Sequence, residues 1–112
     1  MQYMLLIYED EAQFGDPAVL QDITAKHMAL VGELGDTFKA GAGLQRTPTA
    51  TTVRTATNGA KSIHDGPFAE TREQLGGYYL IEAADLDAAL AIAKRVPIRG
   101  GGCVEVRPVM QH

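Results

Sequence analysis

The sequence predicts an α+β domain: a ferredoxin-like antiparallel sheet with two helices on one face and an inserted β-hairpin. The first observation is the order of the periodic segments, strand–helix–strand–hairpin–strand–helix–strand, which places two β–α–β units in 112 residues. A chain of that length suits one domain, so residues 1–112 are expected to fold as a single unit. The second observation is that the segments 3–8 and 77–82 are apolar on both strand faces. The sheet face without helices should therefore be covered by a second copy, in a homodimer.

The first strand covers residues 3–8, which are aliphatic or aromatic, and it ends at the acidic residues 9–11. Asp16 and Pro17 predict a helix start, since aspartate is a favoured N-cap and proline suits the first helical position. We expect the helix to end at Gly35 or Gly41. Its apolar stripe recurs at steps of three and four residues and consists of Leu20, Ile23, His27, Leu30 and Leu34.

A short strand is expected near residues 44–45, followed by a hairpin. The threonine-rich segment 49–57 is typical of a strand, and Asn58-Gly59 is the strongest signal for a short hairpin in the chain. Residues 61–64 are then expected to pair back on the first arm.

The remaining elements complete the second β–α–β unit. Residues 77–82 form a strand, and Asp85 caps a second helix that stops at Pro97. Residues 99–102 form a loop, and a last strand alternates polar and apolar residues over 104–109.

Composition excludes several classes of protein. The net charge of −4 and the scattered basic residues argue against nucleic acid as the main partner. No apolar run approaches the roughly 20 residues that cross a bilayer, so no membrane span is expected. The single cysteine, Cys103, excludes an intrachain disulfide and a cysteine-based zinc site, and we expect it to be a small buried hydrophobic residue. No cofactor motif or metal-ligand spacing is present, and a cytoplasmic location is expected.

Residues 65–79, with the sequence DGPFAETREQLGGYY, closely resemble the signature of the DGPF branch of the YCII-related family. The likeness extends to residues 3–8, 49–54 and 104–108, and so covers nearly the whole chain. The resemblance implies a ferredoxin-like fold that assembles as a dimeric α/β barrel. It implies no defined activity. A His–Asp pair is proposed as a catalytic dyad in the wider YCII group, and some DGPF members occur with extracytoplasmic-function sigma factors.

The helix histidine of the wider group resembles His27, and Asp65 is our candidate for the aspartate because it opens the signature loop. His27 lies on the inward stripe of the first helix, where it is either a hydrogen-bonded core residue or a general acid/base in a cleft. Asp65 either caps its own turn, or orients His27 or binds a polar group of a ligand.

Four further residues are candidates for substrate binding. Arg72 either forms a surface ion pair or holds an anionic group. Tyr78 and Tyr79 point to opposite faces of their strand, so one should be buried in the core and the other should line a pocket. Phe68 is expected in the core or in a pocket wall.

Two functions remain open from the sequence. The first is a small-molecule enzyme that uses His27 and Asp65 on a small polar or anionic compound, by lyase, isomerase or hydrolase chemistry. The second is a non-catalytic dimeric module that binds a ligand or a regulatory protein, in association with a sigma factor.

Overall fold

Four antiparallel strands form the central sheet of the protein, which a computed structural model describes over residues 1–112. The sheet order is β2–β5–β1–β6, so β1 and β5 are the central strands. This order, with two helices in the connections, is consistent with the predicted ferredoxin-like fold and confirms the α+β class. In chain order the strands are β1 (Gln2–Asp10), β2 (Phe38–Gly43), β3 (Thr51–Thr55), β4 (Lys61–Asp65), β5 (Glu73–Glu82) and β6 (Cys103–Pro108).

The two helices, α1 (Pro17–Leu34) and α2 (Leu86–Ala93), begin where the sequence predicts them. The Asp16 side chain accepts a hydrogen bond from the Ala18 N–H at 2.9 Å, which satisfies a free donor of the first turn. The first helix ends at Gly35, whose φ of 54° favours glycine. Neither helix is both long and apolar enough to span a membrane.

Side chains of the central strands alternate between a face covered by the helices and an open face. Tyr3, Leu5 and Ile7 of β1 are buried on the helix-covered face. They form one core with residues of β5 and of both helices, including Tyr79, Ile81, Leu30, Ala89 and Val96. The intervening residues, Met4, Leu6, Tyr78 and Leu80, are only partly buried on the open face.

The hairpin is confirmed at the predicted place. β3 and β4 pair with each other in register from Thr51 opposite Asp65 to Thr55 opposite Lys61. Gly59 takes a φ of 88° in the connecting turn. The hairpin forms a separate two-stranded sheet and pairs with no strand of the four-stranded sheet.

Three expectations about single segments are wrong. The short strand is not near residues 44–45 but at Phe38–Gly43, where a small-residue run serves as an edge strand because its backbone pairs with β5. Cys103 is exposed, because its position opposite Tyr8 puts it on the open face of the sheet. Phe68 is 74% exposed and does not enter the core, because its loop follows the projecting hairpin instead of the sheet.

Candidate functional site

A histidine and a tyrosine meet between α1 and the helix-covered face of the sheet. The Nδ1 atom of His27 and the hydroxyl oxygen of Tyr79 are 2.6 Å apart. His27 continues the α1 stripe that includes Leu30, and Tyr79 lies in the middle of β5. The helical period and the strand alternation therefore bring the two side chains together across the layer.

The Tyr79 ring is fixed from two sides. It is only 5% exposed, and it makes edge-to-face contacts with Phe38 at 5.4 Å and with the His27 ring at 5.8 Å between centroids. His27 is the only hydrogen-bond partner of the Tyr79 hydroxyl. Burial also raises the pKa of Tyr79, so the phenol keeps its proton. We therefore assign the Tyr79 O–H as donor and the Nδ1 of His27 as acceptor, which leaves the imidazole proton on Nε2.

The carboxylate in the same cavity is that of Glu9, at the end of β1. Glu9 continues the odd-numbered series Tyr3, Leu5 and Ile7, and so lies on the helix-covered face. Its Oε1 atom is buried and has no hydrogen-bond partner. An acceptor left in this state is costly unless a bound molecule supplies a donor.

A bulge in β5 makes room for this carboxylate. Ile7 pairs with Gly77 and Tyr8 pairs with Leu75, so that Gly76 is an extra residue in β5. A Cβ atom on Gly76 would lie 3.2 Å from an oxygen of Glu9. The glycine thus gives the carboxylate space that another residue would restrict.

His27 and Glu9 line two adjoining lobes of one cavity, of about 500 and 410 Å³. The walls come from α1, from β2 and the segment after it, and from β5. Apolar side chains that line one lobe or the other are Phe14, Leu20, Ile23, Leu44, Met28 and Val31. A space of this size fits a small molecule.

Glu11 lines the larger lobe and holds the segment that follows β2. Its carboxylate accepts hydrogen bonds from the Thr47 backbone N–H, at 2.8 Å, and from the Thr47 hydroxyl. Arg46 lies next to this contact, donates to the Glu11 carbonyl at 3.3 Å and lines the cavity. Arg46 has no carboxylate partner among the salt bridges of the protein.

Burial shifts the pKa values of the acid/base groups towards each other. The pKa of the Glu9 carboxyl is raised by burial, with the backbone N–H of Arg99 acting in the opposite direction. Burial lowers the pKa of His27. The imidazole is therefore neutral at pH 7, and the carboxyl is a stronger base than an exposed glutamate. No group of three or more His, Cys, Asp or Glu side chains lies where it could hold a metal ion.

Of the residues predicted for the site, the structure brings His27 and Tyr79 together and leaves the others outside the cavity. Asp65 is exposed at the end of β4 and does not line the cavity. Arg72 pairs with Asp10 at 3.2 Å. Tyr78 points to the open face, as the alternation of β5 predicts, and the exposed Phe68 contributes to neither lobe.

The sequence interpretation missed Glu9 and Arg46 as lining residues. A signal for Glu9 was present, because a carboxylate two residues after Ile7 continues the buried face of the first strand. No comparable signal marks Arg46, whose place depends on the loop contact between Thr47 and Glu11.

Comparison with known proteins places the chain in a family. The sequence model of the YCII-related domain matches residues 1–112. The chain belongs to the YCII-related domain family. This YCII-related domain is also similar to an uncharacterized protein of Rhizobium meliloti (strain 1021), with 39% identity over 119 residues that cover 97% of this chain and 92% of the relative.

The lowered pKa of His27 predicts how stability depends on pH. Between the ordinary histidine pKa, about 6.5, and the lower folded value, the unfolded chain binds a proton that the folded chain does not. The free energy of unfolding should therefore fall as the pH decreases through about 6.5. Urea denaturation at pH 7 and pH 5 should show a smaller decrease for His27→Gln than for the wild type. The same decrease in both proteins, or a His27 pKa above 6.5 by NMR titration, would contradict the assignment.

Proposed function

We propose that this YCII-related domain is a small-molecule enzyme that transfers protons within the cavity between α1 and the sheet. The observation that carries the proposal is that His27, held by Tyr79, and Glu9, whose Oε1 has no partner, line one cavity of small-molecule size. Perturbed acid/base groups that converge in a cleft are typical of active sites.

The two groups have complementary roles. The Glu9 carboxylate removes a proton from the substrate, and its raised pKa makes it a stronger base than an exposed carboxylate. The Nε2–H of the neutral His27 imidazole donates a hydrogen bond to the negative charge that develops on the substrate. Tyr79 does not react but fixes the tautomer and the orientation of the imidazole. This combination serves an isomerase, in which Glu9 returns the proton to a neighbouring atom of the substrate, or a lyase, in which the negative charge departs with the leaving group.

The other residues that line the cavity indicate the class of substrate. Leu20, Ile23 and Leu44 offer apolar contact, and Arg46 offers a guanidinium with no carboxylate partner. We propose a small compound with a hydroxyl, amine or amide donor for Glu9, an apolar portion and an anionic group for Arg46. Because Arg72 is paired with Asp10, Arg46 takes the anion-binding role that the sequence suggested for Arg72.

The residues of the DGPF signature have a position next to the cavity. Gly66, Pro67 and Arg72 line a polar groove that shares Glu11 and Gln74 with the cavity. We propose on the sequence of residues 65–68 that the chain belongs to the DGPF branch. Since Asp65 lies outside the cavity within one chain, Glu9 is the carboxylate of our mechanism.

A thermal-shift screen of small metabolites tests the proposed function. A compound that stabilises the protein should also be converted, as followed by NMR of the compound. Glu9→Gln and His27→Ala should each lower the rate of conversion by about 10²–10⁴-fold. Asp65→Asn is the matched control, since it makes the same chemical change as Glu9→Gln outside the cavity.

The outcomes separate the two functions. Loss of conversion in Asp65→Asn but not in Glu9→Gln would restore the His–Asp pair and refute our choice of carboxylate. Binding without conversion would favour the alternative, a non-catalytic module associated with sigma-factor regulation. A large loss of stability in His27→Ala with unchanged affinity would assign His27 to the core.

A second experiment compares two arginines. Arg46→Met should weaken binding of an anionic hit from the screen by about 10- to 100-fold, because a charge-assisted hydrogen bond is lost. Arg72→Met should change the affinity by less than about threefold, since its exposed ion pair with Asp10 lies outside the cavity. Calorimetric titration measures both. An equal loss of affinity in both variants, or a loss of affinity in Arg72→Met alone, would contradict the role of Arg46.

We also propose that two copies assemble through the open sheet face, as a dimeric α/β barrel. This face presents Leu6 opposite Tyr78 and Met4 opposite Leu80 on the two central strands. A contiguous apolar surface of this kind is typical of an interface. The symmetric solution is a second copy of the same face.

Sedimentation tests this assembly. The wild type should sediment as a dimer at about 10 μM, and Leu6→Asp should raise the dimer dissociation constant by about 30-fold or more, because it buries an unpaired charge. Ala25→Asp, on the exposed surface of α1, should leave it unchanged. A folded monomeric wild type would remove the proposal.

A further inference from the structure

The β3–β4 hairpin carries apolar side chains that nothing in its own chain covers. Val53 and Ile63 face each other across the two strands and are 62% and 73% exposed. The loop after the hairpin adds the exposed Phe68 side chain. This loop is tied to the hairpin by hydrogen bonds from Thr52 to the Gly66 carbonyl and from Arg54 to the Phe68 carbonyl, both at 2.7 Å. We call this unit, residues 50–68, the arm.

The arm needs a partner to account for its conformation. A two-stranded hairpin is at best marginally stable alone in water, and this one pairs with no strand of the main sheet. The radius of gyration is 15.8 Å, whereas a compact chain of this length is expected to have about 13 Å. The arm therefore projects from the body of the chain.

We infer that the arm of one copy docks on a second copy of this chain, and that this contact belongs to the homodimer proposed above. The accessible surface of one chain is 7541 Å², whereas a folded monomer of its mass should expose about 6,000 Å². The difference between these two accessible surface areas is larger than the roughly 800 Å² that each partner buries in a standard stable interface. A second copy also has the complementary charge. The hairpin strands and turn carry +1 from Arg54, Lys61 and Asp65, whereas the whole chain carries −4.

Docking of the arm also connects dimerisation with the cavity. The segment that leads into the arm contains Arg46 and Thr49, and the strand that follows it contains Gln74 and Gly76; all four line the cavity. Glu11 holds the entering segment through Thr47. A partner that holds the arm therefore also restrains the two segments on either side of it, which form one wall of the cavity.

The test compares one charge placed on either face of the arm. Ile63→Asp places the charge on the apolar face, and the control Ser62→Asp places it on the opposite face of the same strand. Ile63→Asp should raise the dimer dissociation constant in sedimentation by about 30-fold or more, and Ser62→Asp by less than about threefold. Isotope-filtered NOEs in a mixture of labelled and unlabelled wild type should connect the Ile63 methyl groups of one copy with protons of the other.

The outcomes distinguish the contact made by the arm from dimerisation through the open sheet face. An unchanged dissociation constant in Ile63→Asp, equal weakening by both substitutions, or absence of intermolecular NOEs to Ile63 would overturn the arm contact and leave the dimer through the sheet face intact. A monomeric wild type would overturn both and assign the apolar face of the arm to another kind of partner. Neither result bears on the acid/base roles of His27 and Glu9, which the conversion assay tests separately.

Discussion

The burial of Tyr79 against Phe38 and α1 is the constraint on which the candidate site depends. A phenol this deep in the layer needs a hydrogen-bond partner, and His27 is the one that the helix supplies. The same burial keeps the hydroxyl protonated, which makes it a donor and assigns the imidazole tautomer. Core packing thus determines which nitrogen of His27 is free for chemistry. The histidine is at once a satisfied core residue and a polar group of the cavity, two interpretations that the sequence had set against each other.

The cavity arises where the sheet stops being apolar. Tyr3, Leu5 and Ile7 fill the helix-covered face of β1, and Glu9 takes the next position of the same series. Gly76 widens the neighbouring strand at this point, so that the carboxylate has room but one oxygen has no partner. The layer could have continued with another aliphatic residue and a regular strand. A buried acceptor without a partner costs free energy, and a bound molecule with a donor would remove that cost. This is the physical argument for a site.

The sequence predicted most of the fold because the fold rests on local signals. Asp16 before Pro17, Asp85 before a helical stripe and Asn58-Gly59 each act within a few residues, and all three appear where expected. The site was predicted only in part. His27 was found from the helix period, whereas its partner depends on which strand lies beneath the helix, and Asp65 was chosen by its place in a motif. Which carboxylate lines the same cavity as the histidine is a property of sheet register and of the bulge, and no short segment encodes either.

The position of the arm explains why a motif can mark a protein without lining its cavity. Residues 65–68 lead from the hairpin towards β5, and the Gly66 and Phe68 carbonyls accept hydrogen bonds from Thr52 and Arg54. Gly66 has a φ of 97°, which other residues adopt only with strain, and Pro67 fixes the exit of the chain. These residues contribute to the backbone geometry of the turn, and Asp65 forms the last pair of the hairpin with Thr51. The chain then continues into β5, where Gln74 and Gly76 line the cavity. A substitution in this turn would alter the cavity by displacing the segments that line it, although the turn itself lines neither lobe.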